Sequence, residues 1–257
     1  AEHKAGIIKE GVPVVTAAAG EALEIIERRA EELGADVFVY GEDFSAQLSF
    51  AKEGGQQLAF HSVVCREPEP FELALAGTYQ AENAALVIMA AKLLEREDVR
   101  ITESALRTAL RTVQHPARFE IFAHGDLHAV VDGAHNPAGM HALRAGLDAY
   151  FPEMPRVFLL GILKDKDIDA MLAFLLRPGD RVVTVRPDSE RAAGADVVAA
   201  VAAGMGLDTL ACSDVQTGLA EAAARARADH ALLVAAGSLY LVGGIRSLLA
   251  EGRCMHG

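Results

Sequence analysis

Apolar residues fall into two rhythms along the chain. In the first part, short β-branched runs alternate with stretches of helical spacing. The pattern predicts strands over 12–16, 36–40 and 71–76 and helices over 21–33, 78–94 and 102–112. Gly34 ends the first of these helices. Residues 44–50 and 57–64 flank Lys52-Glu53-Gly54-Gly55 and read as a hairpin. From Phe119 onward the rhythm changes. Apolar runs over 127–131, 157–160, 181–185 and 231–235, with a weaker one near Thr209, alternate with helical patterns over 137–150, 168–175, 194–205, 215–227 and 238–250. Strands that alternate with helices imply βαβ units on a parallel sheet, and unbroken apolar runs suit strands covered on both faces. Pro116, in Gln114-His115-Pro116-Ala117, breaks the preceding helix and marks a boundary. The expected architecture is α/β. A complete doubly wound, Rossmann-like parallel-sheet domain over 117–257 follows a second α/β unit over 1–116. Ligands of such open sheets sit beyond the carboxyl ends of the strands.

Composition narrows the function. With 51% hydrophobic and 23% charged residues the 257-residue chain is an ordinary globular one, not a disordered one. No apolar run approaches the roughly 20 residues of a membrane span. The formal charge of −12, from 24 basic and 36 acidic residues, repels nucleic acid and anionic lipid. It leaves room for small anionic substrates, because a few local donors hold a phosphate. Cys65, Cys212 and Cys254 lie far apart and form no Cys-x-x-Cys pair, which points to a reducing, cytoplasmic compartment. The first nine residues form a dense cluster without a Met, as in part of a longer protein.

Candidate chemistry gathers at strand ends. The strongest string is Val130-Val131-Asp132-Gly133-Ala134-His135-Asn136-Pro137. A buried strand ends there, Gly133 permits a tight turn and Pro137 suits a first helical turn. Asp132 and His135 would project beside a helix N-terminus, which favours anions; alternatively Asp132 or Asn136 only caps that helix. In Gly77-Thr78-Tyr79-Gln80-Ala81-Glu82-Asn83-Ala84, Asn83 interrupts an apolar helix. It is either a buried amide in need of a partner such as an adenine edge, or an exposed polar position. Arg118 is a phosphate clamp or a surface arginine. Ser238, in Ala236-Gly237-Ser238, is a ligand contact or an N-cap. The charges of residues 161–167, Gly161-Ile162-Leu163-Lys164-Asp165-Lys166-Asp167, serve a ligand or solvate a loop. No Gly-x-x-x-x-Gly-Lys-Ser/Thr, no Gly-x-Gly-x-x-Gly after a strand and no His-Glu-x-x-His occurs. Five histidines lie between His115 and His141, but they straddle a linker, a strand and a helix, which argues against a dedicated zinc site.

Taken in order, these strings resemble the folylpolyglutamate synthase and dihydrofolate synthase family of the Mur ligase superfamily. The ordered matches are Glu2-His3-Lys4-Ala5-Gly6-Ile7-Ile8, residues 77–83, Arg118, Asp132-Gly133-Ala134-His135-Asn136-Pro137, residues 161–167 and Gly237-Ser238-Leu239-Tyr240. The resemblance implies the later part of a central ATPase domain over 1–116 and a glutamate ligase domain over 117–257. It implies an ATP-dependent ligase that adds L-glutamate to a folate or dihydropteroate carboxylate through an acyl phosphate, with ATP and Mg2+ as cofactors. By the same resemblance Asn83, Arg118 and Asp132 hold ATP across the junction of the two lobes, and His135 and Ser238 receive the glutamate. Lys4 corresponds to a carbamylated lysine, catalytic and directed to the metal. Carbamylation requires a neutral amine, hence a desolvated one or one near positive charge. His3 stands where the family commonly has Glu, and Ala117 where it commonly has Gly. The family's P-loop string is absent, so this chain alone is expected to be inactive. The implied partners are small molecules, with no nucleic acid or membrane, and the implied state is a monomer. A non-catalytic nucleotide- or glutamate-binding module and a cell-wall Mur-type amide ligase are the competing expectations.

Overall fold

The computed structural model describes residues 2–50, 56–65, 67–94 and 101–251. The hairpin turn expected at Lys52-Glu53-Gly54-Gly55 and the thiol of Cys254 lie outside the described residues. The chain divides into two compact units, residues 1–114 and 115–257.

The first unit opens on a short helix, α1 (Glu2–Ala5), which the apolar pattern did not predict. Strand β1 (Val14–Thr16), helix α2 (Glu21–Glu32) and strand β2 (Val37–Val39) follow, and β1 pairs with β2 in parallel. Strands β3 (Phe44–Phe50), β4 (Gln56–Ser62) and β5 (Glu69–Leu73) form an antiparallel sheet in that order. Period-two alternation sends Leu58, Phe60, Phe71 and Leu73 to one face. There they pack against Ala81, Ala85, Ile88 and Met89 of α3 (Tyr79–Leu94) and against Leu106 and Leu110 of α4 (Glu103–Thr112). Thr102 caps α4 through Ala105 N at 3.2 Å.

The second unit adds β6 (Glu120–His124), β7 (Leu127–Val131), α5 (Pro137–Tyr150), β8 (Arg156–Leu160), α6 (Ile168–Leu175) and β9 (Arg181–Thr184). The last elements are α7 (Ala195–Gly204), β10 (Asp208–Ala211), α8 (Val215–Ala228), β11 (Leu232–Ala236) and α9 (Leu239–Ala250). They form one six-stranded sheet of order β10-β9-β8-β11-β7-β6. Every pair is parallel except β6 with β7, which form a hairpin through Gly125 and Asp126. One face carries Ala129, Val131, Val157, Leu159, Val183, Leu233 and Ala235 against Leu219, Ala222 and Ala226 of α8 and Leu241 and Ile245 of α9. The alternate positions Val130, Phe158, Leu160, Val182 and Val234 are fully buried too, so the sheet is covered on both sides as its unbroken apolar runs require. Strand β11 enters between β8 and β7, and its following helix α9 packs in the same cluster as α8. The strand order therefore reverses around β11, and its carboxyl end is the crevice of this fold.

Asp214 caps α8, and its carboxylate accepts hydrogen bonds from Thr217 N, Thr217 Oγ1 and Ser213 Oγ, each at 2.8 Å. The bonds from Thr217 and Ser213 hold its pKa down at about 2, from an ordinary 3.8. The folded value is depressed, so the cap's stabilisation is complete above the ordinary value and is lost as pH falls through the folded one. An NMR titration of the Thr217 amide should find its midpoint near pH 2; a midpoint near 4 would show that the cap is not formed.

Candidate functional site

Strand β7 delivers Asp132 to the crevice. Its carboxylate is buried, and both oxygens meet backbone donors: Phe119 N on Oδ2 at 2.8 Å and Ala134 N on Oδ1 at 2.7 Å. Its own amide donates to Ala235 O on β11 at 3.0 Å. The helix-capping job falls to Asn136 instead, whose Oδ1 accepts from Gly139 N at 2.7 Å. His135 stands half-exposed between them, with Nδ1 at 2.8 Å from Gly133 O. A carbonyl only accepts, so Nδ1 is the donor in this bond.

Strand β11 ends beside this turn. Gly237 N donates to Ala134 O at 3.0 Å, and Gly161 N, after β8, donates to Ala236 O at 3.3 Å. Gly237 adopts φ 115°, and a Cβ there would stand 2.7 Å from Gly161 O, so only glycine lets the three strand ends close up. Ser238 is buried and caps α9, its Oγ accepting from Leu241 N at 3.2 Å. The cap is formed in the structure, and a capping hydroxyl retains a proton to donate. The charges of residues 161–167 are used internally. Asp167 caps α6, Lys164 Nζ donates to Glu190 O at 3.0 Å, and Asp165 pairs with Arg191 at 2.8 Å.

Arg118 comes from the other side of the same crevice. Its neighbours Ala117 and Phe119 both hold left-handed backbone, φ 57° and 46°. For a residue with a Cβ that conformation costs roughly 1–2 kcal/mol each. The strain is held by Ala117 O, which accepts from Gly133 N at 2.8 Å, by Asp132 on Phe119 N, and by the buried Phe119 ring, which lies against Gly146 and at 5.1 Å from Tyr150. The guanidinium lies over Gly133, where a Cβ would stand 2.3 Å from Nη1. Replacing Ala117 by Gly removes the left-handed penalty at that position and adds the backbone entropy of glycine. The expected net gain is about 1 kcal/mol, seen as a higher unfolding midpoint of this unit in denaturant. A midpoint that falls would show that Ala117 is not strained.

The unit formed by residues 1–114 holds the remaining candidates. Asn83 is exposed on α3 and donates to Gln80 Oε1 at 3.0 Å, so it is not a buried amide: α3 turns this position away from the core that Ala84 and Ala85 enter. Lys4 is exposed on α1. Among the described residues no group of three or more His, Cys, Asp or Glu side chains could hold a metal ion. The described residues do not make a magnesium site by themselves. Among the described residues no helix is long and apolar enough to cross a membrane.

Sequence reasoning missed Glu120 and Arg246. Glu120 Oε2 accepts from Ala117 N at 2.9 Å and from Arg246 Nε at 2.8 Å. The available signal was Gly125-Asp126 between Ile121-Phe122 and Leu127, a two-residue hairpin that would have made Glu120 a strand start.

Arg118, Asp132, His135 and the Ser238-capped N-terminus of α9 all lie in the part of the chain that a family comparison matches. Residues 117–238 match the model of the Mur ligase glutamate ligase domain. The chain is 31% identical, over 98% of its length, to folylpolyglutamate synthase of Lacticaseibacillus casei, of which it spans 58%. It is 35% identical, over 67% of its length, to dihydrofolate synthase/folylpolyglutamate synthase of Bacillus subtilis, of which it spans 40%. Folylpolyglutamate synthase of Mycobacterium tuberculosis, solved in complex with ADP and AMPPCP, is similar with a TM-score of 0.83 at 26% identity, covering 96% of this chain and 58% of that one. The chain belongs to the folylpolyglutamate synthase and dihydrofolate synthase family, and it spans about half the length of the curated relatives it matches.

Proposed function

We propose that the chain carries the glutamate-handling part of an ATP-dependent ligase that joins L-glutamate to a folate or dihydropteroate carboxylate. The observation that carries this reading is the convergence of Arg118, Asp132, His135 and the α9 N-terminus on one crevice inside the matched domain. In this reading the acceptor carboxylate attacks the γ-phosphorus of ATP and ADP leaves. The glutamate amine then attacks the acyl carbon, phosphate departs and the amine gives up a proton. Arg118 balances phosphate charge with a planar donor fork. Asp132 places Arg118 through the Phe119 amide and is the carboxylate directed to the ribose hydroxyls. The His135 Nε2 lone pair accepts from the glutamate ammonium group, and the α9 N-terminus, capped by Ser238, holds a glutamate carboxylate. Asn83, exposed on α3, offers its amide to an adenine edge. Lys4 is the residue that would be carbamylated in the intact protein and directed to the metal, and Mg2+ accompanies the nucleotide. The reading places the protein in the cytoplasm, as a monomer acting on small molecules.

The intact protein that contains this chain is incubated with ATP, Mg2+ and L-glutamate, with either dihydropteroate or tetrahydrofolate as acceptor. ADP release that depends on both glutamate and one acceptor is the expected result, and the productive acceptor identifies the substrate. Nucleotide binding without acceptor-dependent release would leave only a binding module.

A further inference from the structure

We infer that Glu120 and Arg246 form a positioning pair that sets the reach of Arg118. The inference rests on the proposed ligase reading for its kinetic part and on backbone geometry alone for its structural part.

Arg118 lies between two residues of left-handed backbone, Ala117 and Phe119. Such a segment keeps its shape only when its surroundings over-determine it. Each strained residue presents one amide, and each amide meets a carboxylate. Asp132 takes the Phe119 amide at 2.8 Å and Glu120 takes the Ala117 amide at 2.9 Å. The two carboxylates are not equivalent. Asp132 is buried at the end of a central strand, held on its other oxygen by Ala134 N. Glu120 starts β6, the edge strand of the sheet, and is only partly buried. What holds its side chain is Arg246, whose Nε donates to both carboxylate oxygens, at 3.1 and 2.8 Å. The contact joins positions 126 residues apart in sequence.

Arg246 sits on α9, the helix that Ser238 caps and whose Leu239 side chain lies near Gly133, as does the Arg118 guanidinium. That helix holds the segment of Arg118 through Arg246 and Glu120. An ordinary half-exposed ion pair contributes little to stability. This one is distinguished by what its carboxylate also holds, the amide of a strained residue beside the phosphate-directed arginine.

The test uses Arg246→Gln, Glu120→Gln and the conservative Arg246→Lys. Arg225→Gln, which breaks a comparable exposed pair with Asp208, is the control. The first readout is trypsin cleavage of the Arg118–Phe119 bond, followed by mass spectrometry of the released peptides. The native bond is protected because Phe119 is buried and its amide is held. Arg246→Gln and Glu120→Gln should cleave there about tenfold faster, as expected for a local opening, with the overall unfolding midpoint moved no more than in Arg225→Gln. Arg246→Lys should return most of the protection. The second readout is kinetic, in the intact protein. KM for ATP should rise about tenfold in Arg246→Gln while KM for glutamate stays within about twofold.

Unchanged cleavage in both Gln variants would overturn the inference. So would faster cleavage with an unchanged KM for ATP in a protein that ligates glutamate. Absence of any ligase activity in the native protein would fail the proposed function instead, and cleavage at Arg118 would still decide whether the pair holds the segment.

Discussion

Asp132→Ala should unfold the second unit at markedly lower denaturant than the native chain. The carboxylate is buried and its two oxygens take the amides of Phe119 and Ala134. Removing it leaves two buried donors without acceptors, each costing about 1–3 kcal/mol, so a loss of about 3 kcal/mol or more is expected. Asp132→Asn keeps one acceptor oxygen and should fall between the two. The release of Phe119 N also frees the left-handed segment that carries Arg118. If the intact protein ligates glutamate as proposed, its KM for ATP should therefore rise more than its KM for glutamate. A stability loss below about 1 kcal/mol would mean that the two amides find water or other partners.

Gly133→Ala should separate binding from stability. A Cβ at this position would stand 2.3 Å from Arg118 Nη1 and 2.6 Å from Leu239 Cδ2. Both neighbours are ends of flexible side chains, so the fold accommodates the methyl group by displacing them, at about 1–3 kcal/mol. The arginine cannot return to its place. Nucleotide affinity, measured by calorimetry on the intact protein, should fall at least about tenfold, as a misplaced phosphate ligand commonly costs. Native affinity in Gly133→Ala would remove Arg118 from the nucleotide site.

Much of the second unit was legible because its strands are buried on both faces. A continuous run such as residues 231–235 admits few other structures, and each helix between such runs shows its own apolar spacing. Strand β6 was missed because it is an edge. Ile121 and Ala123 are exposed, and the remaining alternation is too weak to stand out beside β7. Helix α1 was missed because four residues carry no periodicity.

At the site, the clustering of Asp132, His135 and Ser238 follows from the ends of β7 and β11, which chain order reveals; Arg118 joins them through the antiparallel strand β6, which the apolar pattern did not predict. The uses to which Asp132 and Ser238 are put do not. Asp132 meets the amide of a residue thirteen positions earlier, a contact set by the β6–β7 hairpin. Ser238 could be cap or ligand on sequence grounds, and the structure shows that it caps α9. Asn83 shows the same limit from the other side. Its helix is apolar almost throughout, and which positions face the sheet depends on the placement of β3, β4 and β5. Glu120 and Arg246 act at a separation that no local pattern encodes.

The proposed chemistry passes through a phosphorylated carboxylate, and isotope transfer tests that directly. The acceptor is prepared with 18O in its reactive carboxylate and turned over by the intact protein with ATP, Mg2+ and L-glutamate. One 18O atom should appear in each phosphate released. Amide product accompanied by phosphate free of 18O would contradict the account.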